Sequence, residues 1–189
     1  TFIEANELKD ITTADLPDET LLSIFLAKPL TEELIANLNH ILTIIKQPIC
    51  IRSSSLLEDS HYQPFAGVYE TVMIPNRGSE EVRLEELSNA IKSVWASTYF
   101  RRAKEYLKAT DHLLGDEKMA IIIQQVIGSE HGSYWYPNIG GVARSINYYP
   151  PSGEKPEDGV GLLSFGFGKA VVENGSALRF SPTHPKRPS

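Results

Sequence analysis

The sequence predicts an α+β fold in which helices dominate the first part of the chain and strands and turns dominate the rest. Three observations lead to this prediction. Apolar residues recur at helical period between residues 84 and 98. Residues 119–127 form a run of β-branched and apolar residues, which is typical of a strand. Beyond residue 128, glycines, prolines and asparagines separate short apolar segments. With 41% hydrophobic and 22% charged residues, the chain has the composition of a globular protein with a real core.

The first predicted elements are helices. Residues 4–10 and 18–27 are predicted as short helices. Thr31 is predicted to cap a third helix, because two glutamates follow in the first turn and leucines and isoleucines then recur at steps of three and four. This helix is expected to end near Lys46, since Pro48 restricts the residue before it.

The remaining elements follow from alternation, periodicity and turn residues. We predict a strand at 48–51, a polar loop at 52–64, a strand at 68–74, a turn at 76–79 and helices at 80–99 and 101–108. We then predict a central strand at 119–127, a turn at 128–132, a strand at 140–147, a polar loop at 150–159 and a strand at 160–163.

Charge and cysteine usage exclude several classes of function. The net charge of −6 argues against a nucleic-acid or anionic-membrane binder, because both need clustered cations. No apolar stretch approaches the ~20 residues that a membrane span needs. The single cysteine, Cys50, lies in an apolar run and is expected to be a buried structural thiol. A chain without disulfides fits a reducing compartment, so a cytoplasmic location is expected.

No metal site or catalytic residue can be assigned from spacing alone. No pair of histidines has metal-ligand spacing, and no serine, histidine and acid form a recognisable arrangement. The adjacent glutamines Gln124 and Gln125 alternate across a predicted strand, so only one can face a given side. That side chain either bonds a neighbouring strand or contacts a ligand.

The best candidate for ligand binding is the polar segment that follows the first strand. Arg52 is followed by three serines, and a small-residue turn comes about ten residues later. A guanidinium can bind two phosphate oxygens, hydroxyls and backbone N–H groups can donate to them, and glycine permits close approach. The alternative is a serine-rich turn whose hydroxyls cap local backbone groups. The residues concerned are Arg52, Ser53, Ser54 and Ser55, with Phe65, Ala66 and Gly67 in the turn.

These segments together resemble a known enzyme family. Residues 51–60 and 65–71 resemble the V-R-S-S-x-x-x-E-D and F-A-G-x-x-E-T signature of pyruvate phosphate dikinases and phosphoenolpyruvate synthases. Residues 90–103 resemble the long helix of that family and 118–127 its M-A-V-x-V-Q-x-M-V strand. Residues 141–143 resemble its S-G-V-A/M-F strand and 166–172 its G-L-G-E-x-V-V turn. The likeness keeps the order of the family from about residue 47 to residue 180.

The resemblance implies an ATP-grasp-like fold, with a helical first lobe and the phosphate loop in residues 1–115 and an incomplete, β-rich second lobe in residues 116–189. In that family the domain passes a phosphoryl group of ATP to a histidine on another domain, and a barrel domain then passes it to pyruvate. The implied cofactors are ATP and Mg²⁺. The implied partners are the phosphohistidine and pyruvate-binding domains of the same parent polypeptide.

The resemblance also assigns residues. It implies that Arg52 contacts the ATP phosphates and that Gln124 lies near the nucleotide. It places a further five residues in the loop that covers the phosphates: Ser53, Ser54, Phe65, Ala66 and Gly67.

Some positions depart from the family pattern. Lys169 stands where a glutamate is usual, and Arg144 where a phenylalanine is usual. The Mg²⁺ ligands are expected outside this chain, which we expect to be an inactive fragment of a pyruvate, water dikinase-like kinase. Two alternatives remain open. The parent could be a dikinase that acts on a glucan or an antibiotic, or the chain could be a degenerate, non-catalytic interaction module.

Overall fold

The computed structural model describes residues 1–55, 67–109, 119–168, 171 and 177–186, and it combines helices and sheets as the sequence predicts. The chain divides into two compact units, Thr1–Val126 and Ile127–Ser189. The expected lobes, residues 1–115 and 116–189, were defined by their proposed roles in ATP binding. That division stays a prediction.

The first unit contains six helices and three strands among the described residues. The helices are α1 (Phe2–Ala5), α2 (Lys9–Thr13), α3 (Asp18–Ala27), α4 (Glu32–Ile44), α5 (Glu80–Ser97) and α6 (Arg101–Ala109). The strands are β1 (Ile49–Ser55), β2 (Thr71–Ile74) and β3 (Met119–Gln125). They form one antiparallel sheet in the order β2-β1-β3, so β1 is bonded on both sides.

The main core lies between α4, α5 and one face of this sheet. Ile49 and Ile51 of β1 are fully buried against Leu87 and Val94 of α5 and Leu38 of α4. Burying each such side chain contributes roughly 2 kcal/mol of transfer free energy. A second cluster joins α3 to the last turns of α5, and a third joins the chain before β2 to α6.

The predicted helices are confirmed, with one exception. The helix expected at 18–27 is α3, and Thr31 caps α4 by accepting a hydrogen bond of 3.3 Å from the backbone N–H of Leu34. The single helix expected at 4–10 is instead α1 and α2. Glu7, between them, has a φ of 54°, a left-handed conformation that interrupts helical hydrogen bonding.

Three expectations for strands are wrong. The first strand does not end at Ile51, because residues 52–55 pair with β3 and Arg52 also pairs with Thr71 of β2. The strand expected at 68–74 begins only at Thr71, since Tyr69 is buried against α6 and the N–H of Glu70 donates to Ser97 Oγ at 3.0 Å. The strand expected to be central, β3, lies at the edge of the described sheet.

The second unit contains two small sheets in its described residues. A hairpin joins β4 (Ser129–His131) to β5 (Tyr134–Tyr136), so the turn expected at 128–132 is partly a strand. The other sheet has the order β6 (Ile139–Arg144), β7 (Val160–Phe165) and β8 (Leu178–Phe180), all antiparallel. The strand expected at 160–163 is confirmed as β7, while the strand expected at 140–147 ends at Arg144, and β5 and β8 were not predicted.

Candidate functional site

The two faces of the first sheet differ in what covers them. The strand register places Ile49, Ile51, Ser53 and Ser55 of β1 on the face that packs against the helices. Directly opposite residues of β2 and β3 share this face, and most of them belong to the main core. The other face is therefore the only one of the two on which side chains can meet a ligand without displacing α4 and α5.

The second face brings together three residues that the sequence assigned to phosphate or nucleotide. Arg52 and Ser54 lie on it by alternation along β1, and Gln124 lies on it because it pairs with Cys50. Gln124 is one diagonal step from Arg52, and diagonal neighbours in antiparallel strands lie about 7 Å apart. Arg52 and Gln124 are both exposed, so the two long side chains can reach one ligand.

This face is exposed elsewhere too. Ile122 of β3 is paired with Arg52 and Met73 of β2 is its diagonal neighbour, and these two side chains are 44% and 56% exposed. Large apolar side chains around an exposed cation suit a ligand with a charged part and a flat apolar part. The positive charge of this face of the sheet is carried by Arg52, whose side chain makes no hydrogen bond or ion pair within the described ranges.

The structure does not bring all the predicted residues together. Ser53 points to the helix-covered face with Ser55, one step out of phase with Arg52. The three serines belong to a strand, so neither the predicted loop nor the alternative of a serine-rich turn describes them. Gln125 likewise lies on the face opposite to Gln124, as the alternation predicted.

Cys50 shares the face of Arg52 but is only 7% exposed, between Met73 and Gln124. Burial raises the pKa of its thiol, and the positive charge of Arg52 partly offsets this shift. The thiol therefore stays protonated at neutral pH, when it is a poor nucleophile. This confirms the expectation of a structural cysteine.

Gly67 is the described residue of the predicted small-residue turn, while Phe65 and Ala66 lie outside the described residues, as does Lys169. Gly67 has a φ of 75°, and a Cβ added there would meet no atom of the described structure within 4 Å. Glycine is therefore favoured here by the backbone conformation and not by close packing.

The described residues do not supply a metal site. They contain no group of three or more histidine, cysteine, aspartate or glutamate side chains that could hold a metal ion. On the face of Arg52 the oxygen donors are the hydroxyls of Ser54 and Thr71 and the amide of Gln124. Mg²⁺ is bound in proteins mainly through carboxylates and substrate phosphates, so this face alone does not fit it.

Sequence reasoning missed a pocket of 390 Å³ in the second unit. Arg144 of β6 and Arg179 of β8 line it, together with Val142 and Leu162 and the segment 146–149. The two arginines are far apart in sequence, so no spacing pattern indicated them. The one available signal was a cation in the strand 140–147, where alternation assigns it to the same face as Val142.

No described helix has the length and apolarity needed to cross a membrane. A family model described as pyruvate phosphate dikinase, AMP/ATP-binding domain, matches residues 1–186. The chain is also 29% identical over 171 residues to the uncharacterized phosphotransferase YvkC of Bacillus subtilis (strain 168). That alignment covers 90% of this chain and 18% of the relative, so the chain spans less than a fifth of its length.

Proposed function

Because the chain belongs to the pyruvate phosphate dikinase AMP/ATP-binding domain family, we propose that it is the ATP-binding part of a phosphoenolpyruvate synthase-like phosphotransferase. In the proposed reaction, ATP, pyruvate and water give phosphoenolpyruvate, AMP and phosphate. A phosphohistidine on another domain of the parent carries the phosphoryl group between ATP and pyruvate.

The observation that carries this proposal is the common face of Arg52, Ser54 and Gln124. Residues assigned from two separate segments of the sequence, Arg52 and Ser54 from one and Gln124 from the other, share one face of one sheet. The guanidinium of Arg52 supplies positive charge and up to two parallel hydrogen bonds to phosphate oxygens. The hydroxyl of Ser54, two positions along the same strand, adds a neutral donor to the same group.

The nucleotide base is the part of ATP that we assign to Gln124. Its side-chain amide carries one acceptor oxygen and two donor hydrogens, so it can bond a base edge in either direction. The exposed side chains of Met73 and Ile122 offer the apolar surface against which a flat base packs. Phosphoryl transfer needs mainly positioning and charge neutralisation, which is what these side chains can provide.

The turn containing Phe65, Ala66 and Gly67 is proposed to cover the phosphates. Gly67, with its left-handed φ, lies four residues before β2, whose first residue Thr71 is paired with Arg52. The chain therefore returns to the sheet beside the proposed phosphate position. Ser53 is left out of the contact set, because its side chain faces the helices.

The remaining parts of the proposal concern the parent protein. We propose an ATP-grasp-like arrangement of two lobes, with Mg²⁺ held chiefly by the ATP phosphates and by residues outside this chain. The small share of YvkC that this chain covers supports further domains in the parent. Those domains would decide whether the acceptor is pyruvate, a glucan or an antibiotic.

Titration calorimetry with Mg-ATP tests the proposal on the 189-residue chain. We expect saturable binding, weakened at least tenfold by Arg52→Gln, because hydrogen bonds to charged groups contribute about 1.5–3 kcal/mol. The control is Arg102→Gln, which changes an exposed arginine of α6. Equal affinities for the Arg52 and Arg102 variants would contradict the assignment of Arg52.

In the full-length parent, Arg52→Gln is expected to reduce AMP formation in the presence of pyruvate, whereas Arg102→Gln is not. If the parent forms no AMP with pyruvate, with a glucan or with an antibiotic, that result would indicate the non-catalytic alternative. Calorimetry and turnover together therefore separate a failure of ATP binding from a failure of the proposed acceptor.

A further inference from the structure

The pocket of the second unit lies on one face of the sheet β6-β7-β8, beside the segment 146–149, and Arg144 is a cation in its lining. Its floor is one face of the sheet β6-β7-β8, where Val142, Leu162 and Arg179 stand side by side in register. Arg144 and its partner Val160 form the next row on the same face. The two arginines thus stand on the outer strands, with apolar side chains of β7 between them.

The wall is held in place by a buried asparagine. Asn147 is 4% exposed, and its Oδ1 accepts hydrogen bonds from Arg179 Nη2 at 3.0 Å and from the N–H of Tyr149 at 3.1 Å. Arg179 Nη2 also donates to the backbone carbonyl of Tyr149 at 3.1 Å. A backbone bond of 2.8 Å from Asn147 to Pro156 fixes the base of the segment. These bonds fix the positions of Asn147 and the backbone of Tyr149 on this side of the pocket.

Arg144 differs from Arg179 in having no such partners. Among the described residues its guanidinium makes no hydrogen bond and no ion pair, although it lines the pocket. None of the described lining residues is an aspartate or a glutamate. The cation thus stands beside an apolar floor with its five donors available, an arrangement that favours an anion.

The surroundings of Arg144 are apolar and exposed. Val142 and Ile146 are 43% and 46% exposed, and Tyr148 and Tyr149 are 74% and 84% exposed. Single exposed apolar residues are ordinary, but a contiguous group around a cavity indicates a binding surface. A volume of 390 Å³ lies within the range of small-molecule pockets.

We propose that this pocket binds a small organic anion whose phosphate or carboxylate group bonds Arg144 and whose flat apolar part rests on Val142, Val160 and Leu162. Arg179, held by Asn147, forms the opposite wall and adds positive potential. The proposal concerns the second unit alone and stands whether or not Arg52 binds ATP.

Heteronuclear NMR of the 189-residue chain tests the proposal with four probes. Phenyl phosphate and benzoate carry both features of the ligand, and the tighter of the two identifies the anionic group. Benzyl alcohol lacks the charge, and inorganic phosphate lacks the ring. We expect saturable shifts of the amides of residues 142–149 with phenyl phosphate or benzoate, and at least tenfold weaker effects with the other two probes.

Two variants and a control locate the binding. Arg144→Gln should weaken the binding of the tighter anionic probe roughly tenfold. Val142→Glu, which places a negative charge on the half-exposed floor, should abolish binding. Arg102→Gln, in the first unit, should leave the affinity unchanged. The proposal is overturned if neither anion gives saturable shifts, if benzyl alcohol binds as tightly as the anions, or if the Arg144→Gln variant binds the better anion with the wild-type affinity.

Discussion

The guanidinium of Arg83 in α5 donates a hydrogen bond of 2.9 Å from Nε to the side-chain oxygen of Asn76, in the connection between β2 and α5. Both residues are buried. Arg83 also donates to the carbonyls of Leu42 and Ile45, at 2.7 and 2.9 Å. Asn76 adds bonds of 3.1 and 2.9 Å to the carbonyls of Ile45 and Gln47. Arg83 and Asn76 thus bond carbonyls at and just after the end of α4, where Lys46 Nζ also donates to Leu42 at 2.9 Å and the helix dipole favours positive charge.

Replacing Arg83 with methionine should destabilise the first unit by about 2–4 kcal/mol, because the buried Oδ1 of Asn76 loses its donor and the carbonyls of Leu42 and Ile45 each lose one of two donors, while the apolar stem is kept. Urea denaturation measures the change in the free energy of unfolding. The matched control is Arg102→Met, an exposed position for which we expect a change within about 0.5 kcal/mol. Similar losses in the two variants would show that the buried bonds contribute little.

The two adjacent glutamines provide a test of the proposed ATP-binding face. Gln124 lies on the face of Arg52, Gln125 lies on the opposite face, and both are exposed. We expect Gln124→Ala to weaken the binding of Mg-ATP several-fold, since a hydrogen bond contributes about 1 kcal/mol. We expect Gln125→Ala to leave the affinity for Mg-ATP unchanged. Calorimetry on both variants decides. A larger effect at Gln125 would place the nucleotide elsewhere.

Periodicity predicted most of the helices of this fold correctly, because an amphipathic stripe is a local signal. The stripe over residues 84–98 belongs to α5, and the capped pattern after Thr31 belongs to α4. The break at Glu7 could not be predicted, since its left-handed backbone follows from how α1 and α2 pack.

The strands were predicted less well, because the local sequence of a strand does not indicate which distant strand it pairs with. The polarity of Arg52 and the three serines indicated a loop, but β3 bonds the whole length of β1, and paired backbone outweighs polarity. For the same reason no local pattern separated Ser53 from Ser54 or joined Arg144 to Arg179. In each case it is the register of neighbouring strands that decides which side chains meet.

The thiol of Cys50 offers a pH-dependent measure of its neighbour Arg52. Removing the charge in Arg52→Gln should raise the pKa of the thiol further, because Arg52 is the group that lowers it. The pH profile of iodoacetamide alkylation should therefore move to higher pH in this variant and stay in place in Arg102→Gln. An unchanged profile, or a shift to lower pH, would show that the charge of Arg52 does not lower the pKa of this thiol.

The same thiol has a consequence for stability. Its pKa in the folded protein is raised above that in the unfolded chain, where it is about 8.5. Protonation of Cys50 therefore stabilises the fold at neutral pH, and this contribution is lost as the pH rises from the unfolded value through the folded one. Replacing Cys50 with alanine should flatten the decline in unfolding free energy above pH 8.5, as measured by urea denaturation at each pH.

Two glycines of the second unit separate backbone strain from steric contact. Gly153 has a φ of 86° with open space around an added Cβ, so Gly153→Ala should cost only the strain of a left-handed residue, about 1–2 kcal/mol. Gly159 has a φ of 74° and a ψ of 179°, a region that glycine alone readily occupies, and its added Cβ would lie 2.8 Å from the carbonyl oxygen of Arg144. Gly159→Ala should therefore destabilise β6 and β7 more strongly, and it should also weaken the anion probes by displacing Arg144. Hydrogen exchange of the β6 and β7 amides measures the first effect, and equal exchange rates in the two variants would contradict it.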